Sequence, residues 1–139
     1  MILHPIGRVR SPRTEPTDDD WDSVTSLVEL DGARFGPASL RGIEEFSHVE
    51  IVYALEQTGH RGNPDQPGVG VFAQRGRNRP NGIGVTRCRL LGVGDLTLKV
   101  RGLDAVDGSP VLDVKPYFAE SAPQEPVVQP EWATPLATS

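Results

Sequence analysis

The sequence predicts an all-β fold, a small closed or nearly closed β-barrel of about seven strands with one short helix. Three observations carry this. Val49, Ile51, Tyr53 and Leu55 alternate with other residues at the period of a strand with one buried face. Turn residues separate short apolar runs throughout, with 15 glycines and 13 prolines among 139 residues. No strand–Gly-x-Gly-x-x-Gly–helix unit is present, which disfavours a doubly wound fold. A two-sheet sandwich is the all-β alternative.

The elements follow in order. A first strand lies within Ile2 to Arg10, and Ser11-Pro12 ends it. Residues 11–22 read as a polar loop in which Trp21 is the one large apolar side chain. Val24, Ser26, Val28 and Leu30 alternate as a half-buried strand, closed by the Asp31-Gly32 turn. Gly36-Pro37 opens the short helix, with proline in its first turn and Gly42 near its end. The strand from Val49 to Leu55 runs into a loop at 58–68, and Val69 to Ala73 reads as a short apolar strand. Ile83 to Leu91, Leu96 to Val100 and Val111 to Tyr117 complete the set, with Asp107-Gly108 turning between the last two. Residues 1–118 therefore form the barrel. Residues 119–139 form a Pro-rich irregular tail in which Trp132 could pin the chain to the body or to a partner.

Composition narrows the functional classes. One cysteine, Cys88, excludes an internal disulfide and a multi-cysteine zinc site, and its apolar neighbours point to packing. His4, His48 and His60 have no ligand-like spacing, so no metal site is expected. His48 reads as a structural histidine beside Glu44 and Glu45. No run reaches transmembrane length and no signal-peptide core is present, so a cytoplasmic protein without a membrane is expected. The net charge of −5 argues against a general nucleic-acid binder. The charge is uneven, however. Five of the 14 basic residues fall between Arg75 and Arg89, and acid concentrates at Asp18, Asp19, Asp20 and Asp22.

The segment Gly70 to Asn81 concentrates the chemistry. Arg75, Arg77 and Arg79 alternate before Pro80, which fixes its own φ and keeps Arg79 out of the helical region. Asn81-Gly82 adds a second turn, in which Asn81 can bond the backbone. The result is a stiff cationic loop suited to an anion, a ribose or an RNA backbone. A guanidinium forks onto a carboxylate, so Arg75 can hold such a group or brace the loop. Arg77 and Arg79 suit phosphates or an acidic neighbour. Further along, Lys115 could join Asp104 and Asp113 in a polar network, and Tyr117 could stack on a base, accept a proton or pack in the core.

Four segments together resemble one family. They are Ile6-Gly7-Arg8-Val9-Arg10-Ser11-Pro12, Leu40 to Val49 (LRGIEEFSHV), Gly70 to Asn81, and Leu103 to Tyr117 (LDAVDGSPVLDVKPY). The chain resembles the TrmO (TsaA-like, YaeB-like) methyltransferases over roughly residues 2–117. The resemblance implies a small β-barrel that binds S-adenosylmethionine and works as a homodimer, with the cofactor site near the interface. It implies methylation of N6 of a threonylcarbamoyl-modified adenosine beside a tRNA anticodon. It points to Gln57, Phe72, Arg75, Val85, Leu103, Asp104 and Ala105 at the cofactor, with the rim from Leu103 to Val106 against its adenosine part. Arg77, Arg79 and Asn81 would meet the substrate. Asp104, Lys115 and Tyr117 are the candidates for accepting or orienting a proton. The chain departs from the family where a Pro-x-Gln segment is usual and Asp19-Asp20-Trp21-Asp22 stands instead. Two alternatives follow: methyl transfer to a small-molecule acceptor, or a non-catalytic barrel that binds a nucleotide or RNA. A dimeric interaction protein docking through its tail is a third.

Overall fold

A computed structural model describes residues 1–15, 20–55 and 66–134. Six strands close into a barrel: β1 (Gly7–Arg10), β2 (Thr25–Leu30), β3 (His48–Ala54), β4 (Ile83–Val93), β5 (Thr97–Arg101) and β6 (Pro110–Pro116). Their order around the barrel is β1-β2-β5-β4-β3-β6, and β6 pairs back onto β1 through Gly7–Val111 and Arg8–Pro110. Every pairing is antiparallel. The register shifts between Leu90 and Gly92 on β4 and between Val52 and Tyr53 on β3 opposite β6. Such irregularities bend strands and help a short sheet to close.

The inward positions form the core. Val9, Val28, Val49, Ile51, Leu98, Val100 and Val111 are fully buried at alternate positions of their strands. Each contributes roughly 1.5–3 kcal/mol by leaving water. Cys88 is buried among them, and burial pushes its thiol up to about 12. The link between β5 and β6 is longer than a hairpin turn. It carries Leu103, Ala105 and Val106 into the interior before the Asp107-Gly108 turn, where Gly108 takes a φ of +85°. Val106 packs with Trp21 and Val24 in a second apolar cluster. Arg13 lies over the Trp21 ring at 4.7 Å.

Two sequence expectations change. Among the described residues there are six strands rather than about seven, because Val69 to Ala73 does not join the sheet. Val71–Ala73 forms one turn of 3-10 helix after Gly70. The closed barrel leaves its strands no free edge to pair with, and Gly68 at φ +74° turns the chain just before. The short helix is a single 3-10 turn, Pro37–Leu40, with proline at its start and Leu40 buried. A second 3-10 turn, Ile43–Glu45, follows Gly42 at φ +92°. Beyond β6 the described tail holds two more such turns, Ala119–Ser121 and Glu131–Ala133. Val127 and Val128 are exposed there, and Trp132 is 43% exposed. Among the described residues no helix is long and apolar enough to cross a membrane.

Candidate functional site

The arginine loop folds back over the barrel mouth and encloses a cleft of about 500 Å³. Its walls are the start of β4, the end of β3, the loop itself and the link after β5. That size falls within the usual range for small-molecule and cofactor sites.

Internal bonds set the shape of the loop. The Gln74 side chain ties the loop to the segment that enters it: Oε1 accepts from the Gln66 N–H at 2.8 Å, and Nε2 donates to the Val69 carbonyl at 2.9 Å. Arg79 Nη1 donates to the Gln74 carbonyl at 2.6 Å. Arg77 Nη2 meets Asp104 Oδ1 at 2.7 Å, with the Arg77 side chain 11% exposed and that of Asp104 42% exposed. The nearly buried guanidinium is therefore committed to a carboxylate that still faces the cleft. Arg75 is exposed on the cleft wall, and among the described residues it has no hydrogen-bond or ion-pair partner. Phe72 stands beside it, 80% exposed, an apolar ring held out into solvent.

The floor of the cleft is built by a residue not singled out from the sequence. The Tyr53 hydroxyl donates to the Asp104 main-chain carbonyl at 2.5 Å and shares a hydrogen bond with Thr86 Oγ1 at 3.0 Å. Burial pushes its phenol up to about 12, the Thr86 hydrogen bond working against this and the Asp104 charge adding to it. Tyr53 is thus neutral at physiological pH and acts as a donor. Its ring lies against Gly84, where an added Cβ would come within 2.8 Å of the ring carbons. The signal for Tyr53 was its inward phase in the period-two run that ends beside the loop. Nothing local marks Gln74.

The structure gathers some of the candidate residues and disperses others. Phe72, Arg75, Arg77, Arg79, Val85 and Asp104 all line the cleft. Leu103 and Ala105 are fully buried in the core, so only their backbone can reach a ligand. Asn81 lies outside the cleft and lines a neighbouring apolar groove with Leu3, Ile83 and Leu112. Lys115 pairs with Asp113 at 3.1 Å, and Tyr117 lies under Arg87 at 4.1 Å and edge-on to His48. Along β3 at 3.3–3.4 Å per residue, Lys115 is opposite Glu50, about 10 Å from Tyr53, and Tyr117 is opposite His48, about 17 Å from it. The expected network of Lys115 with Asp104 does not form, because Arg77 holds Asp104 and Asp113 holds Lys115. Gln57, Asp18, Asp19 and His60 lie outside the described residues. Among the described residues, no group of three or more His, Cys, Asp or Glu side chains could hold a metal ion.

A closed antiparallel barrel with a cationic, partly apolar cleft at its mouth is a small-ligand-binding barrel. Comparison with known proteins makes the class particular. The family described as the tRNA-methyltransferase O N-terminal domain matches residues 10–122, and the chain belongs to that family. An S-adenosyl-L-methionine-binding protein of Archaeoglobus fulgidus is 37% identical over 86% of this chain and 91% of its own length. The tRNA (adenine(37)-N6)-methyltransferase of Escherichia coli is 42% identical, over 61% of this chain and 43% of its own. The crystal structure of TrmO from Pseudomonas aeruginosa superposes with a TM-score of 0.82 at 30% identity, covering 98% of this chain. This chain spans 64% of that protein and less than half of the Escherichia coli enzyme.

Proposed function

We propose that the chain is an S-adenosylmethionine-dependent methyltransferase acting on N6 of an adenosine in a tRNA anticodon loop, with the cofactor held in the arginine-loop cleft. The observation that carries this reading is the state of Arg75. It is the one arginine of the loop's three left without a partner among the described residues, and it shares the cleft wall with an exposed aromatic ring. Membership of the family and similarity to S-adenosyl-L-methionine-binding relatives support it.

The residues present suit the group. Arg75 can fork onto the amino-acid carboxylate, and Phe72 offers a face to the adenine. When bound, S-adenosylmethionine supplies a methyl group already activated by its sulfonium. The protein's task is then alignment of the acceptor and management of one proton. Asp104 is the carboxylate at the mouth, and Arg77 fixes its rotamer. It accepts a hydrogen bond from the exocyclic amine, orients the nitrogen lone pair, and takes up the proton that the nitrogen loses on methylation before releasing it to solvent. Tyr53, held neutral, locks the Asp104 backbone and takes no proton. Lys115, paired with Asp113, and Tyr117, under Arg87, do not line the cleft of the same subunit. They would reach a cleft only across a homodimer interface, with the cofactor site near that interface. The reaction belongs in the cytoplasm, where tRNA is modified.

Calorimetric titration with S-adenosylmethionine and S-adenosylhomocysteine, followed by transfer of a labelled methyl group to tRNA, tests the proposal. Micromolar binding and label in adenosine are expected. Absence of binding by the intact protein would overturn it in favour of a non-catalytic nucleotide-binding barrel. Binding with salt-insensitive transfer to a small amine, and none to tRNA, would identify a small-molecule acceptor.

A further inference from the structure

The outward positions of β4 and β5 carry a concentration of positive charge that the cleft does not use. Along β4, Val85 lines the cleft and Arg87 and Arg89 follow on the same outer face. Successive outward residues of a strand lie about 6.8 Å apart. On β5, Lys99 and Arg101 point outward in the same way. The register sets Arg89 directly opposite Arg101. Like charges facing each other across a strand pair destabilise the sheet. Arg89, Lys99 and Arg101 are exposed, and among the described residues none has a hydrogen-bond or ion-pair partner. Arg87 lies over the Tyr117 ring and meets Glu50 at 3.9 Å. This face stands out on a chain whose net charge is −5.

Resting on the tRNA reading above, we propose that the outer face of β4 and β5 is a docking surface for the phosphodiester backbone of the RNA. It would hold the RNA while the target adenosine enters the cleft two residues further along β4. The chemistry fits a polyanion. Unpaired guanidinium groups repel one another until phosphates lie between them, and each phosphate neutralised releases condensed counterions. Their spacing along one strand and across to the next forms a track that leads away from the cleft mouth. A small anionic ligand would need one such group, not an open row. The face supplies position rather than sequence preference, since phosphate contacts carry no base information.

The test uses the full chain and an unmodified tRNA transcript, with dissociation constants measured across a series of salt concentrations. Arg89→Ala/Arg101→Ala is expected to weaken tRNA binding about tenfold or more. It should reduce the slope of log K against log salt by about 1 for each arginine lost. Binding of S-adenosylmethionine should not change. Arg89→Lys/Arg101→Lys should keep most of the slope, because the charge is retained. Thermal unfolding should be unaltered or slightly higher in the alanine variant, since it relieves repulsion and removes no partner. Unchanged tRNA affinity and slope in the alanine variant would overturn this proposal and leave the methyltransferase reading standing. So would an effect confined to self-association, which would assign the face to a protein partner. Wild-type protein that binds S-adenosylmethionine but no tRNA would overturn both this proposal and the tRNA acceptor.

Discussion

Removing the Arg75 guanidinium leaves the loop's own bonds in place, because those run through Gln74, Arg77 and Arg79. Arg75→Ala should therefore lower S-adenosylmethionine affinity by about 10- to 100-fold, the worth of a charge-assisted hydrogen bond. Its unfolding temperature should match that of the wild type. Arg77→Ala acts differently. It removes the ion pair between the loop and Asp104, so stability should fall by about 1–3 kcal/mol together with affinity. Calorimetry and thermal melts on the two variants separate the roles, and equal melting losses in both would contradict this division. The arginines and Pro80 were legible in the sequence as a stiff cationic turn. Which of the three is left without a partner was not, because it depends on Asp104, 27 positions further along, arriving beside Arg77 through barrel closure. Leu103 and Ala105 were placed at the cofactor from the sequence. They lie in the core because apolar residues in a link that crosses a barrel mouth are drawn inward.

Between β3 and β4 the barrel wall depends on a pairing of sizes. Tyr53 faces Gly84 in register, and the aromatic ring fills the volume that a side chain at 84 would occupy. Gly84→Ala should cost about 1–3 kcal/mol by overpacking. It should also shift the tyrosine near-ultraviolet circular dichroism, since the ring must move off its hydrogen bonds to Asp104 and Thr86. Urea unfolding with a wild-type midpoint and an unchanged spectrum would show that the ring has room. Strands such as β3 were legible because one face is buried and the other wet, which imprints period two. The stretch Val69 to Ala73 was misread for a related reason. A short apolar run has no periodicity to reveal whether a neighbouring edge exists for it, and here none does.

For the whole molecule, alkaline pH should be the condition that weakens the fold. Tyr53 is raised from 10.0 to about 12 by burial, and Cys88 from 9.0 to about 12 by the same cause. Both groups keep their protons in the folded state after the unfolded chain has lost them. The unfolded chain then binds fewer protons, so stability is complete below about pH 9 and declines between about 9 and 12. Tyr53 alone accounts for about 2–3 kcal/mol of that decline at its end. Urea midpoints measured at about pH 7.5, 9 and 10.5 should fall in that order, and Cys88→Ala should delay the onset. A flat profile would mean that neither group is held away from water as described.

The pairing of β1 with β6 also bears on time. The first strand leaves synthesis as residues 7–10, and its second neighbour does not exist until residues 110–116 have been made. β3 waits on the same strand, since β6 lies between β3 and β1. One late segment thus latches two early ones, and until it arrives the nascent chain carries two open edges of the kind that recruit other chains. The mature barrel is protected by its closure, and the growing chain is most vulnerable just before β6 is made.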